Sequence, residues 1–512
     1  MENVRHRFVK TGIIVLIIVV LALEARLLSF CGYYGSDDSA YADMAYLMAN
    51  GKFQINAGYT HVPVFPLRVG LMAPVALCFK VAGVSEFTML AYPFLVSLLS
   101  VVLAFFAGCL FFNTRAGLIA AAIQALLPID ARSATMLLPD LPAAFWANLG
   151  IVLIYYGSRR IGHWPQAVWG IFAGLALGAS WLHKESMVYL LPLGMIILFW
   201  SACCRRKNVV VLVTASAVFF TVLFTESLIY YCSTGDFLYR LHETERNYEV
   251  CKIYFFTEGS TYGWERGYYW SAIAERLFKE GPVQIFLTKT YGWITPAAML
   301  ALGYALLRRW RRFVFPGLWF LFLVLVFNFG SSSLTAYRPL VLFERYLYPI
   351  LFPAVLLNGG LIASLVKSQG DNQGEIFRER RFWGCMVSLA IIYICTAGIV
   401  KNVKDGPQCK IERKISQELS VEDEIFTDYR TENALNFFWK YPSQTKIREF
   451  SGLDVTDISP GAYVFINRDK VNTLNKLHNY KLPSFYHQIP ENWQVKMSME
   501  QKILYWVPLN LR

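Results

Sequence analysis

Long apolar runs separated by short polar connections dominate the chain, at 11–30, 88–112, 116–130, 141–157, 166–182, 187–203, 208–231, 284–307, 313–329, 341–366 and 382–401. Each approaches the roughly 20 residues that a helix needs to cross about 30 Å of hydrocarbon, so the pattern predicts about eleven membrane spans. Three polar stretches are longer: 31–87, 232–283 and the tail from about 402. In the first, Tyr41, Met44, Ala45 and Met48 share a helical spacing that begins after Ser36 or Asp37 as N-cap and stops at Gly51. A second amphipathic segment opens at Phe65-Pro66-Leu67 and runs to Gly83, carrying Arg68 and Lys80, and is expected to lie along the membrane surface. The tail changes character. Glu424 to Asp428 and Ala462 to Ile466 read as short strands and Glu432 to Trp439 as a helix, a small α/β domain able to fold alone.

Composition agrees with the pattern. Hydrophobic residues make up 55% of the 512, charged residues only 16%, and mean hydropathy is +0.39. This is an α-helical polytopic membrane protein rather than a soluble domain. Basic residues set its orientation: Arg5, Arg7 and Lys10 before the first run, then Arg115, Arg159-Arg160, Arg205-Arg206-Lys207, Arg308 to Arg312 and Arg378 to Arg381 in alternate connections, all assigned to the cytoplasm. The net charge of +12 therefore calls for no nucleic acid. The first run lacks a small-residue cleavage site and reads as a retained anchor. An odd number of spans puts both long loops and the tail outside, so the chain divides into a membrane domain, 1–401, and an extracytoplasmic α/β domain, 402–512.

The candidate chemistry sits at that outer face. Asp37 and Asp38 follow the first run directly, at a depth where ionisable groups are costly and usually functional. A helix cap needs one carboxylate, which leaves the other free for chemistry, and two like charges side by side raise the pKa of one of them. Most cysteines lie in or beside apolar runs; Cys232 and Cys251 share an outer loop, where a disulfide is one reading and free thiols the other. No zinc-type cysteine pairing, P-loop or dinucleotide glycine pattern stands in a suitable context. Tyr262, Trp264, Tyr268, Tyr269 and Trp270 form either an interfacial belt or a set of sugar-stacking rings.

Asp37-Asp38 after the first span, two surface helices in the first outer loop, Leu138-Pro139-Asp140-Leu141-Pro142 and Glu344-Arg345-Tyr346-Leu347-Tyr348-Pro349 together resemble the GT-C membrane glycosyltransferases, in particular the protein O-mannosyltransferase and lipid A aminoarabinose transferase superfamily. The resemblance covers about residues 8 to 400. It implies inverting transfer of a sugar, outside a bacterial plasma membrane, from a polyprenyl-phosphate-linked donor to an acceptor glycan, lipid or protein. Membrane lipids are its surroundings.

Residue by residue, the resemblance makes Asp37 the catalytic base. Arg345, with Tyr346 beside it and Arg338 nearby, is placed to bind the donor phosphate, for which a guanidinium fork is suited; the alternative for Arg345 is an interfacial residue paired with Glu344. Asp38 joins as a second substrate-binding carboxylate. Asp140 either orients substrate or caps its helix, and Lys184 either pairs with a carboxylate of the first loop or is a surface charge. Where the family often has a lysine before two prolines, this chain has Thr60-His61-Val62-Pro63, and His61 is left to supply that function. A divalent metal is compatible with the resemblance and not required by it. The alternative from another class is a transporter or flippase of lipid-linked sugars, but those bind near the midplane between two related halves, and here the charges gather at one face.

Overall fold

The computed structural model describes the chain except residues 1, 57, 59–61, 190–192, 195–208, 256–273, 275, 289–290, 292, 331–339, 341, 367–373, 479 and 510–512. His61, Arg338, the Arg205 cluster and the aromatic group Tyr262 to Trp270 therefore lie outside the described residues.

Most predicted runs are single helices: α1 (Glu2–Leu28), α4 (Glu86–Phe111), α7 (Asp140–Gly157), α8 (His163–His183), α9 (Val209–Thr234), α12 (Val314–Phe329), α13 (Tyr348–Val366) and α14 (Gly374–Asp405). The first outer loop supplies α2 (Asp37–Ala49) and α3 (Val69–Ala82). Among the described residues five helices are long and apolar enough to cross a membrane, and shorter apolar ones accompany them. The chain is an integral membrane protein.

Two runs depart from expectation. The run at 116–130 breaks after α5 (Thr114–Leu126), because Pro128 forces Leu127 into extended backbone and restarts the chain as the short α6 (Pro128–Ser133). In the run at 284–307 only α11 (Ile294–Leu307) is an α-helix, its start marked by Trp293 at φ 60. The run at 187–203 lies mostly outside the described residues.

In hydrocarbon no water drives helices together, so close backbone approach must supply the attraction. Gly170, Gly174 and Gly178 line one face of α8 at four-residue spacing and meet α9. A methyl at Gly174 would lie 2.6 Å from the Ala215 carbonyl, and one at Gly178 would lie 2.8 Å from Val222. Helix α13 runs through the centre of the bundle, buried from Tyr348 to Ala363.

The two ends of the bundle differ in what they gather. Arg159 and Arg312 donate to the carbonyls of Leu110 and Phe112, so the basic connections share the far end of α4. At the near end of α4, Glu86 receives a bidentate guanidinium from Arg413 of the tail, at 2.7 and 3.1 Å.

The tail forms a five-stranded sheet of order β2-β1-β3-β5-β4. Its strands are β1 (Ile425–Thr427), β2 (Ile447–Glu449), β3 (Tyr463–Asn467), β4 (Gln494–Met499) and β5 (Lys502–Trp506). β1 pairs in parallel with β2 and β3, whereas β5 runs antiparallel to β3 and β4. The tail begins with α15 (Lys410–Glu418), and α16 (Tyr429–Phe438) crosses between β1 and β2.

One polar knot inside the apolar mass ties four helices together. Arg26 and Asp130 form an ion pair with neither side chain exposed. Arg26 also donates to Ser97 at 2.8 Å, Ser97 donates to Asp130 at 2.6 Å, and Tyr348 donates to the other Asp130 oxygen. Removing one partner leaves an uncompensated buried charge. Asp130→Asn is therefore expected to cost roughly 3–5 kcal/mol, seen as a lowered Tm in detergent, and Arg26→Met combined with Asp130→Leu should cost less than the two single changes summed.

Candidate active site

Asp37 is the first residue of α2, and its neighbour builds the turn before it. Ser36 is the N-cap yet makes no side-chain cap bond. Asp38 instead reaches backward: one oxygen accepts from Ser36 N at 2.7 Å, the other from Tyr34 N at 2.6 Å and Gly35 N at 3.3 Å. Asp38 is 1% exposed and its pKa is raised, by burial first and least by the charge of Asp37. The purpose left open for the second carboxylate is thus loop construction, and Asp37 is left pointing outward.

Asp37 faces Arg345, whose Nη2 lies 2.7 Å from Asp37 Oδ2, across 308 positions of sequence. Glu344 is not the partner of Arg345. Its side chain is exposed, and its backbone carbonyl accepts from Tyr291 at 2.6 Å. Arg345 also lies over the Tyr346 ring, 5.2 Å from its centroid, and Lys184 Nζ sits 3.8 Å from the same centroid. Lys184 pairs with Asp140, both nearly buried, rather than with a carboxylate of the first loop. Asp140 makes no side-chain cap bond, so the ion pair replaces the capping role.

Two groups join that sequence reading passed over. Arg68 grips Glu185 through both oxygens, at 2.6 and 3.1 Å, and donates to the Tyr41 hydroxyl on α2. Glu226, inside the apolar α9, takes Trp181 Nε1 at 2.6 Å, Tyr230 at 2.8 Å and an ion pair from Arg240 of α10 (Tyr239–Phe255). A carboxylate within a long apolar run is the signal that marks such a residue. Cys232 is an exposed, free cysteine, and the Cys251 side chain is not among those described.

An apolar groove of about 590 Å³ lies between α7 and α8, lined by Trp146, Leu149, Leu153, Trp169, Phe172 and Leu175. Trp146 links it to the polar cluster: its Nε1 donates to Tyr92 at 2.9 Å, and the Tyr92 hydroxyl lies 2.6 Å from Nε2 of His183, next to Lys184. Among the described residues no three His, Cys, Asp or Glu side chains converge as a metal site, and Asp37 is held by a cation instead.

The fold has solved counterparts. ArnT from Cupriavidus metallidurans in the apo state superposes with a TM-score of 0.56 at 15% identity, over 97% of this chain and 98% of that one. The same protein bound to undecaprenyl phosphate gives 0.56 at 14%, over 96% and 97%. The Archaeoglobus fulgidus oligosaccharyltransferase in its apo form gives 0.57 at 13%, over 98% and 75%. The chain has the GT-C glycosyltransferase fold. Within that fold, residues 70–230 match the family model of dolichyl-phosphate-mannose-protein mannosyltransferase, a stretch that includes Asp140, Lys184 and the groove. No curated protein matches the chain at the sequence level.

The candidate site is also held by the tail. Tyr441 of the tail donates to Asp43 and stacks on Tyr46, with ring centroids 4.3 Å apart, on the same helix that carries Asp37. Loss of solvent raises the Asp43 pKa to about 7 despite the Tyr441 hydrogen bond, and the charge of Asp38 adds to the rise. A carboxyl whose folded pKa exceeds the ordinary 3.8 binds its proton more tightly when folded. Its stabilising contribution is full below about pH 4 and declines as pH rises to about 7. Tail docking, followed by limited proteolysis, should therefore weaken across that interval, and Asp43→Asn should flatten this dependence.

Proposed function

We propose that the chain is an inverting glycosyltransferase acting on a polyprenyl-phosphate-linked sugar, with Asp37 as general base. Asp37 removes the proton of an acceptor hydroxyl as its oxygen attacks the anomeric carbon. The new carbon–oxygen bond forms while the bond to the phosphate oxygen breaks, and polyprenyl phosphate leaves with the bonding pair. The developing charge on that phosphate is met by Arg345, with Lys184 behind it, in a partly shielded setting where fixed cations act strongly.

The observation that carries this reading is the 2.7 Å contact between Asp37 and Arg345, which joins a carboxylate and a guanidinium at one spot although 308 positions separate them. The groove beside Trp146 supports it, since an apolar groove joined through Tyr92 and His183 to the neighbourhood of Lys184 suits a prenyl chain with a phosphate head. So do the ligands of the structural counterparts, undecaprenyl phosphate in ArnT and a dolichol-phosphate in AglB from Archaeoglobus fulgidus. The transferred group is a hexose or pentose and the acceptor a glycan, lipid or protein. The basic connections at the opposite end support an extracytoplasmic site in a bacterial plasma membrane. On this reading the membrane portion to about residue 401 carries the catalytic site, and the tail limits acceptor access.

Purified protein supplied with a radiolabelled polyprenyl-phosphate sugar tests the mechanism. Asp37→Asn should lose about 10²–10⁴ in turnover, the usual worth of a positioned base, without a matching fall in Tm. Arg345→Lys keeps the charge but loses the fork and should weaken donor use. Undiminished transfer by Asp37→Asn would remove the proposal.

A further inference from the structure

The end of the bundle opposite Asp37 holds a cationic cavity. It occupies about 380 Å³ at the far end of α4, where Arg309, Arg311 and Arg312 meet Asn113 and Ser364. Arg312 is fixed by its bond to the Phe112 carbonyl at 3.2 Å. Phe313 packs on Phe112, with ring centroids 4.7 Å apart, and Trp310 lies 5.4 Å from Phe313, so the wall is rigid and aromatic. Among the described residues no carboxylate pairs with any of the three arginines. Arg309 adopts a left-handed backbone, φ 52, a conformation that costs energy in a residue with a side chain.

The depth of the cavity identifies its ligand. Leu306 and Leu307, just before the arginines, are 65% and 85% exposed, as lipid-facing residues are. The cavity thus opens where hydrocarbon gives way to headgroups, a level that tryptophan also favours. Positive charge at this face is common and needs no site. A walled cavity at headgroup depth whose three guanidinium groups meet no carboxylate among the described residues is a stronger feature, because basic pockets between transmembrane helices bind anionic headgroups.

We propose that this cavity binds the phosphate of an anionic phospholipid, with its acyl chains lying along the exposed leucines of α11. Guanidinium groups bind phosphate through paired N–H donors, and Arg312 is already oriented. The site is independent of the sugar-transfer site at the other face.

The full-length protein in a neutral detergent, titrated with short-chain phosphatidylglycerol and followed by native mass spectrometry, tests this. Arg309→Gln combined with Arg311→Gln should weaken the tightest bound lipid roughly 30-fold, taking the usual worth of each basic residue near an anionic surface. Ser364→Trp, which fills the cavity without changing charge, should also abolish that adduct. Arg159→Gln with Arg160→Gln, an equal loss of charge outside the cavity, should leave it in place. The proposal is overturned if the Arg159 and Arg160 pair gives the same loss, if Ser364→Trp retains the adduct, or if phosphatidylcholine binds equally well. Inorganic phosphate competing as strongly as the lipid would make this a free-anion site and overturn the lipid assignment.

Discussion

Charge at the edge of a low-dielectric layer must be paired, and the outer end of this bundle is organised around that requirement. Asp37 with Arg345, Asp140 with Lys184 and Glu185 with Arg68 are three pairs of opposite sign; the Tyr346 ring lies between the first two, and Tyr41 ties Arg68 to the helix that carries Asp37. Each pair joins segments distant in sequence. The geometry of the site is therefore inseparable from the packing of the helices, since shifting one helix end would strand a charge. The Arg26–Asp130 knot and the Glu226–Arg240 pair extend the same arrangement into the bundle.

Much of this was legible in the order of residues. Apolar runs near the spanning length located most helices, the carboxylates after the first run pointed to Asp37, and the family resemblance pointed to Asp140, Lys184 and Arg345, which the structure brings together with it. Pairing was not legible, because it depends on which helices are neighbours. Lys184, read either as the partner of a first-loop carboxylate or as a surface charge, instead meets Asp140 across α7 and α8. Asp38 read as a second substrate-binding carboxylate because backward hydrogen bonds from Tyr34 and Gly35 leave no mark in local spacing. Arg26 and Glu226 sat within apolar runs and were absorbed by them. In the tail, β2 is three residues long and β4 is largely exposed, so neither shows the alternation that betrays a strand.

The tail is more than an appendage. Phe437 stacks on Tyr33 with centroids 4.6 Å apart, Arg413 binds Glu86, and Tyr441 reaches Asp43. These contacts bracket the loop and helix that carry Asp37. Lys440 and Tyr441 both adopt left-handed backbone, at φ 61 and 54, so the docking residue is presented from a strained turn.

In the resting molecule Arg345 is the counter-ion of Asp37. An arriving phosphate would compete for that same guanidinium, and once it succeeds the carboxylate loses its escort and is left to accept a hydrogen bond from an acceptor hydroxyl. On the proposed mechanism the donor thereby arms the enzyme, and a site without lipid-linked sugar stays quiescent toward every hydroxyl that drifts past, water included.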